Sequence, residues 1–374
     1  MRIAILGTRG IPNRYGGFER FAEEISCILG SRGLEVFVTR PADNKGMEVF
    51  SLNVMVVDIP VSKLLPQNLQ TIVYDFLSLK WCLKNNIDVI IECGYAFSPS
   101  LLLLPRSIRN KIITNPDGLE YNRSKWGLIA RLYLKFSERL AFKYSEQIVC
   151  DNKALLDVYR KYRRIINYIP YGANPIEVIP DPDIIRSLTS FNLNEYYLVI
   201  SRITPENSIE LILNYFVGNK NRKLLVVGET NSTYANKIRK VYGDYENIVF
   251  LGGIYDQVVL NALRYHCKLY IHGHTAGGTN PSLLEAMACR CFILAHKNQF
   301  NQAVLGEDAL YFSSAKSLAK RIDEFDCIEA DTIENCKQRN FDKIELYYSW
   351  DGVADEYEKI FNQIVCLNKD KSKF

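Results

Sequence analysis

Short β-rich runs alternate with helical stretches along nearly the whole chain, and this rhythm restricts the fold more than any other property of the sequence. Residues 2–6, 34–39, 54–59, 87–92, 111–115, 147–150 and 165–169 read as strands separated by helical patterns. Strands spaced by helices are laid side by side in a parallel, doubly wound sheet. Pro170, Gly172, Pro175, Pro180 and Pro182 then punctuate a connector. Beyond it the rhythm restarts at 197–201, 223–227, 248–251, 268–272, 291–295 and 309–312. The expected class is α/β, with two Rossmann-like domains in tandem. A chain of 374 residues, 48% of them hydrophobic, is too long for one core and rich enough for two. We place the first domain at residues 1–172 and the second at 173–343. The amphipathic segment 344–374 is expected to be helical and to pack back on the first domain.

Composition removes several classes. Thirteen Pro and 21 Gly are scattered rather than clustered, which argues against a disordered or collagenous segment. The apolar runs at 3–6 and 101–104 are too short for a signal peptide or a spanning helix, so a cytosolic chain is expected. Ten Cys at irregular spacings then read as reduced thiols rather than a disulfide framework.

The charge is unevenly placed. Up to Tyr171 there are 24 Lys and Arg against 16 Asp and Glu, and the remainder is acidic although the net charge is +4. Between Tyr121 and Arg164, eleven basic residues face four acidic ones. Here Arg131, Lys135, Arg139 and Lys143 recur every four residues as one stripe of a helix, while Ile129, Leu132, Phe136 and Leu140 form a mostly separate face expected to cover a core. A solvated helix face would show such a stripe. So would a surface that meets anionic lipid headgroups or a lipid diphosphate, where each cation contributes about 1 kcal/mol. No nucleic-acid-binding motif accompanies the charge, and nucleic acid is not expected as a partner.

Ligands of open parallel sheets bind beyond the carboxyl ends of the strands, so the loops there are the candidate sites. The first runs Gly7-Thr8-Arg9-Gly10-Ile11-Pro12-Asn13-Arg14-Tyr15-Gly16-Gly17-Phe18-Glu19. A dinucleotide fingerprint would need glycine where Arg9 and Pro12 stand, so a nicotinamide cofactor is not expected, even though Arg40 would suit a 2′-phosphate. Gly16 and Gly17 before a helix permit close backbone approach, and Arg9 and Arg14 add positive charge, which suits an anionic or hydroxyl-rich ligand. A turn that needs glycine for its geometry alone would look the same.

The second loop runs from His272 through Gly277, Gly278 and Thr279 to Asn280-Pro281-Ser282-Leu283-Leu284-Glu285-Ala286-Met287-Ala288. Asn280 reads as an N-cap, Pro281 as the first helical residue and 283–288 as the helix. Exposed N–H groups at such a helix start would seat a diphosphate. Glu285, one turn inside, would accept hydrogen bonds from a ribose diol. A structural Glu on a solvated helix face is the alternative. His272 and His274 share one strand face near Cys289 and Cys291, but their spacing fits no standard zinc module, and no metal is expected. His274 is read instead as a ligand contact beside the diphosphate loop.

The two-domain rhythm, Arg202 just after the first strand of the second domain, and the NPSLLEAMA segment resemble retaining nucleotide-sugar glycosyltransferases of the GT-B type, specifically glycosyltransferase family 4. GTRGIPNRYGGFE, DGLEYNRSKW and GGTNPSLLEAM together resemble its narrower bacterial rhamnosyltransferase-like branch, which builds surface polysaccharides. The resemblance covers essentially the whole chain. It implies a GT-B fold with a dTDP- or UDP-linked donor and no other cofactor. It also implies a lipid-diphosphate-linked saccharide acceptor met at the inner membrane face, where the chain would associate peripherally. Glu285 matches the family's ribose-binding Glu, and Arg202 the basic residue that grips the donor diphosphate. Gly277 stands where the family has a sugar-contacting Glu, and Asn207 where it has a phosphate-binding Lys. Asp117 falls where the first domain presents a catalytic polar residue, with Glu120 three residues on to position or deprotonate an acceptor hydroxyl; an Asp-Gly turn with no chemistry is the alternative. Arg123, Lys125 and Trp126 would bind the acceptor's phosphate and sugar face, and His274 the donor sugar or its phosphates. A non-hydrolysing nucleotide-sugar epimerase and a catalytically silent nucleotide-sugar binder are the competing functions.

Overall fold

A computed structural model describes the chain apart from Asp117, residues 123–125, Arg164 and residues 372–374, and without the side chains of Gln67, Asn68 and residues 369–371. The chain divides into two compact units, Met1–Tyr171 with Trp350–Phe374, and Gly172–Ser349.

The first unit holds an eight-stranded sheet of β1 (Arg2–Leu6), β2 (Glu35–Ala42), β3 (Gly46–Ser51), β4 (Val54–Pro60), β5 (Val89–Cys93), β6 (Ile112–Asn115), β7 (Gln147–Cys150) and β8 (Asn167–Tyr168). Their order is β3-β4-β2-β1-β5-β6-β7-β8, parallel throughout except β3 against β4. Ile3, Ala4, Ile5 and Leu6 are fully buried, as expected of a strand covered on both faces. The strand order reverses at β1, so the crevice of this sheet opens between β1 and β5. Gly7 makes that junction possible: it leaves β1 at φ +78°, and a Cβ there would lie 2.4 Å from the carbonyl oxygen of Cys93. β3 lies outside the rhythm. It turns back on β4 through Asn53 at φ 59° and leaves Met47 and Val49 facing solvent, so neither burial nor a glycine turn marks it in the sequence.

The C-terminal boundary differs from the expectation of residue 344. The helix Ala330–Tyr347 belongs to the second unit, and only Trp350–Lys371 completes the first. That last helix packs on the helix Gly17–Ser31, where Phe21 sits among Tyr171, Trp350 and Tyr357 at ring-centroid distances of 5.7, 6.4 and 5.4 Å. Arg32 joins the same seam through Asp351, Asp355 and Glu358 at 3.1, 2.7 and 2.6 Å.

The second unit holds a wholly parallel sheet of β9 (Tyr196–Ile200), β10 (Lys223–Val227), β11 (Ile248–Gly252), β12 (Leu269–His272), β13 (Ile293–His296) and β14 (Leu310–Phe312). The order β11-β10-β9-β12-β13-β14 reverses between β9 and β12. Tyr197, Val199, Leu224, Val226 and Ile271 form its core with Ile212, Phe216 and Ile238 from flanking helices. Both units are thus doubly wound α/β sheets, as the strand rhythm predicts.

Candidate functional site

In the second unit the loops leaving β9 and β12 meet at the strand-order reversal, and they carry most of the residues singled out for donor binding. After β9, Asn207 is buried and its Nδ2 donates to the carbonyl of Arg202 at 2.7 Å, beside the Thr204 N–H at 2.9 Å. Asn207 thus braces the turn that holds the exposed Arg202. The loop after β12 is clamped to the same turn by Thr275, whose N–H and Oγ1 donate to the Glu206 carbonyl at 3.0 and 2.9 Å.

The helix Pro281–Ala288 begins as the sequence indicates, with Asn280 as N-cap and Pro281 at its first position. Its first N–H groups, however, are not available to a diphosphate. Ser282 donates to Asn280 Oδ1 at 3.0 Å, while Leu283 and Leu284 donate to the Asn280 carbonyl at 3.0 and 3.2 Å. The helix offers an anion its dipole, with the loop of Gly277, Gly278 and the buried Thr279 in front of it. Gly277 adopts φ +120°, a conformation L side chains rarely take, so the backbone itself disfavours a Glu at this position.

Glu285 is 13% exposed and pairs with the Nη2 of Arg264, a side chain only 1% exposed on the helix Gln257–Tyr265. Sequence reasoning missed Arg264, although it shares the buried face of that helix with Leu260 and Leu263 at helical spacing. Tyr270 and Ser282 form a second missed contact: their hydroxyls are 2.5 Å apart, and Ser282 Oγ donates to the Ile200 carbonyl at 3.1 Å.

The His272 and His274 rings stack at 4.3 Å. Burial and the neighbouring His296 hold the His272 imidazole well below its ordinary range, at about 3, so it is neutral. The His274 carbonyl accepts from the side-chain amides of Asn298 and Asn301 at 2.9 and 3.2 Å, which fixes the start of the loop. Among the described residues, no group of three His, Cys, Asp or Glu is placed to hold a metal ion.

In the first unit the loop after β1 is stapled by carboxylates of the following helix. The N–H of Arg9 donates to Glu19 Oε1 at 2.9 Å and that of Asn13 to Glu23 Oε2 at 2.7 Å. Those two backbone donors are therefore internal, and a ligand here would meet the side chains of Arg9 and Arg14 instead. The Arg9 guanidinium lies 3.6 Å from the Tyr15 ring centroid, and Arg14 is exposed. Gly16 caps the helix Gly17–Ser31 without a side-chain bond. Arg40 is engaged by Asp58 at 2.6 Å and Glu48 at 2.9 Å, which removes it as a phosphate partner. After β6, Trp126 Nε1 donates to Glu120 Oε1 at 3.0 Å, so these two predicted residues do come together. Asp117, Arg123 and Lys125 lie outside the described residues.

The helix Leu128–Tyr144 corrects one expectation. Ile129, Leu132 and Phe136 do not cover a core: they are 85%, 60% and 48% exposed, with only Leu140 buried. The buried face is Leu134, Ser137, Glu138, Ala141 and Phe142. It was hidden in the sequence by Glu138, whose Oε1 accepts from the hydroxyl of Tyr162 at 2.5 Å and from Lys161 at 3.1 Å. Arg131, Lys135, Arg139 and Lys143 are exposed as expected.

Comparison with known proteins fits this architecture. Residues 181–339 match the family model for group 1 glycosyl transferases, and residues 1–174 match one described as a domain of unknown function, DUF1972. A sucrose-phosphate synthase from Thermosynechococcus elongatus is similar in structure at TM-score 0.83, with 15% identity, over 98% of this chain and 99% of that one. A glycosyltransferase from Rickettsia africae gives TM-score 0.71 at 14% identity over 97% and 98%. WaaG, a glycosyltransferase involved in lipopolysaccharide biosynthesis, gives 0.72 at 14% over 95% and 99%. No curated protein matches in sequence. The fold is GT-B. Residues 181–339 thus match a glycosyl transferase domain within a chain of that fold.

Proposed function

We propose that the chain transfers a sugar, rhamnose in our reading, from a dTDP- or UDP-linked donor to a lipid-diphosphate-linked saccharide at the inner face of the cell membrane. The transfer proceeds with retention and without a metal, in the synthesis of a bacterial surface polysaccharide. The helix Leu128–Tyr144 carries this reading. It exposes Leu128, Ile129, Leu132 and Phe136 together with four cations. An apolar row beside a basic one suits the interface of an anionic bilayer, where the apolar side chains enter the acyl boundary and the cations meet headgroups. Among the described residues no helix is long and apolar enough to cross a membrane, so attachment of the described chain would rest on such a surface. A lipid-borne acceptor gives that surface a purpose.

The donor half of the reading rests on Glu285 for the ribose and on Arg202 with the helix dipole for the diphosphate. Gly277 in place of a sugar-reading carboxylate favours a donor with a different hydroxyl pattern, such as a deoxy sugar. As the diphosphate departs, Arg202 stabilises its growing charge and a phosphate oxygen takes the proton of the incoming hydroxyl. Incubation with donor alone, and then with donor and a polyprenyl-diphosphate saccharide, tests the reading. Transfer needs the acceptor; change of the sugar without it would mean an epimerase, and neither reaction would mean a silent binder.

A further inference from the structure

We propose that Arg264 is a positioning residue for nucleotide recognition, holding the Glu285 carboxylate in the orientation that reads the ribose 3′-hydroxyl. This rests on the assignment of Glu285 to the ribose. The pair is directional: the guanidinium is 1% exposed behind the loop, whereas the carboxylate is 13% exposed. Arg264 Nη2 donates to Glu285 Oε2, while Nε and Nη1 are buried with no hydrogen-bond partner. Orphaned donors on a buried cation cost stability, and a buried ion pair is often no more stable than an apolar pair of similar volume. The arrangement is therefore poorly explained as a stabilising device. What it does supply is a fixed carboxylate. Arg264 is itself pinned, because Cys291 Sγ donates to its carbonyl at 3.1 Å on one side and the helix Gln257–Tyr265 holds it on the other. Tyr270, Cys289 and Cys291 face the pair, and burial raises all three, which keeps them neutral at physiological pH. Arg264 interacts with each of these groups and with Glu285. A guanidinium fixed by burial that donates to one carboxylate oxygen holds that oxygen in place and so sets the orientation of the Glu285 side chain.

The test compares UDP and dTDP, each with its 3′-deoxy counterpart, by calorimetry on the full chain. The readout is the ratio of dissociation constants with and without the 3′-hydroxyl, for whichever nucleotide binds. A loosened site weakens both ligands equally and leaves that ratio alone; loss of a positioned carboxylate lowers the ratio itself. We expect wild type to prefer the 3′-hydroxyl about tenfold or more, as for one charge-assisted hydrogen bond. Glu285→Ala and Arg264→Met should both bring the ratio near one, with the double variant no lower, and Arg264→Lys should fall between. A wild-type ratio in folded Arg264→Met overturns the proposal. Should that variant not fold, an unchanged ratio in Arg264→Lys overturns it instead. If wild type shows no preference, or Glu285→Ala keeps it, the ribose assignment itself is what fails.

Discussion

Gly273 lies so close to Asn207 that a Cβ on the glycine would stand 2.1 Å from the asparagine's carbonyl oxygen. This approach joins the loop after β12 to the turn after β9 and so brings Arg202 into one site with the segment that ends at Glu285. Gly273→Ala must push backbone against backbone. Such overpacking costs about 1–3 kcal/mol. We expect a thermal midpoint lower by several degrees and weaker binding of the nucleoside diphosphate, read by calorimetry. Wild-type affinity in the alanine variant would show that the two loops act separately.

Arg202 is exposed, and its carbonyl is held by Asn207. Arg202→Ala should therefore fold normally and lose turnover on the order of a hundredfold or more, because leaving-group charge grows in the transition state. Asn207→Ala should act differently, lowering stability by about 1 kcal/mol through loss of one of the two hydrogen bonds to the Arg202 carbonyl. Steady-state kinetics beside thermal melts separate the two. Near-normal turnover in Arg202→Ala would remove it from the chemistry.

The exposed face of Leu128–Tyr144 makes separate predictions for charge and for apolar surface. Changing Arg131, Lys135, Arg139 and Lys143 to Gln removes a few kcal/mol of salt-sensitive attraction at about 1 kcal/mol each. Leu132→Ser with Phe136→Ser should weaken attachment at high salt as well, since apolar insertion is not screened. Sedimentation with vesicles of anionic lipid, at low and high salt, reads both. If all variants sediment like wild type, this face does not dock.

Most of the sheet framework was legible because the central strands, such as β1, β5 and β10, are buried on both faces and therefore read as short apolar runs between helices. Residues 147–150 and 223–227 coincide with β7 and β10. β3 was not legible, having no buried residue and being joined to β4 by a turn without glycine. The Asn280 cap was readable from local chemistry alone, as caps usually are. Tertiary facts were not: that the cap consumes the first N–H groups, that Glu19 and Glu23 staple the first loop, and that Arg264 stands behind Glu285. Leu128–Tyr144 shows the limit of periodicity. Its apolar stripe was real, but a buried Glu138 with its own donors let the helix turn that stripe outward.

The C-terminal helix is a part of the first unit's core. Trp350 is 2% exposed and lies against Phe21. Trp350→Ala should cost about 3–5 kcal/mol, as for other large-to-small changes in cores. Hydrogen exchange should place the loss in β1, β5 and the helix Gly17–Ser31, leaving β9 to β14 protected. Uniform loss over both units would contradict the division of the chain.

The last prediction concerns two carboxyl groups that the proposed chemistry does not use. Asp75 on the helix Gln67–Lys84 and Glu92 on β5 are both buried, and neither oxygen of Glu92 has a hydrogen-bond partner. Burial pushes the Asp75 carboxyl from 3.8 up to about 8. Burial, and then the Asp75 charge, raises Glu92 as well. Between the unfolded value near 4 and the folded value near 8, the folded chain keeps a proton that the unfolded chain releases. Stability therefore falls as pH rises through that window and levels off above it. Asp75→Asn removes the ionisation while keeping the shape. We expect the variant to match wild type near pH 5 and to melt higher than wild type at pH 8.5, with a flatter profile between. A variant that is destabilised equally at both pH values would show that Asp75 is held by contacts its charge does not disturb.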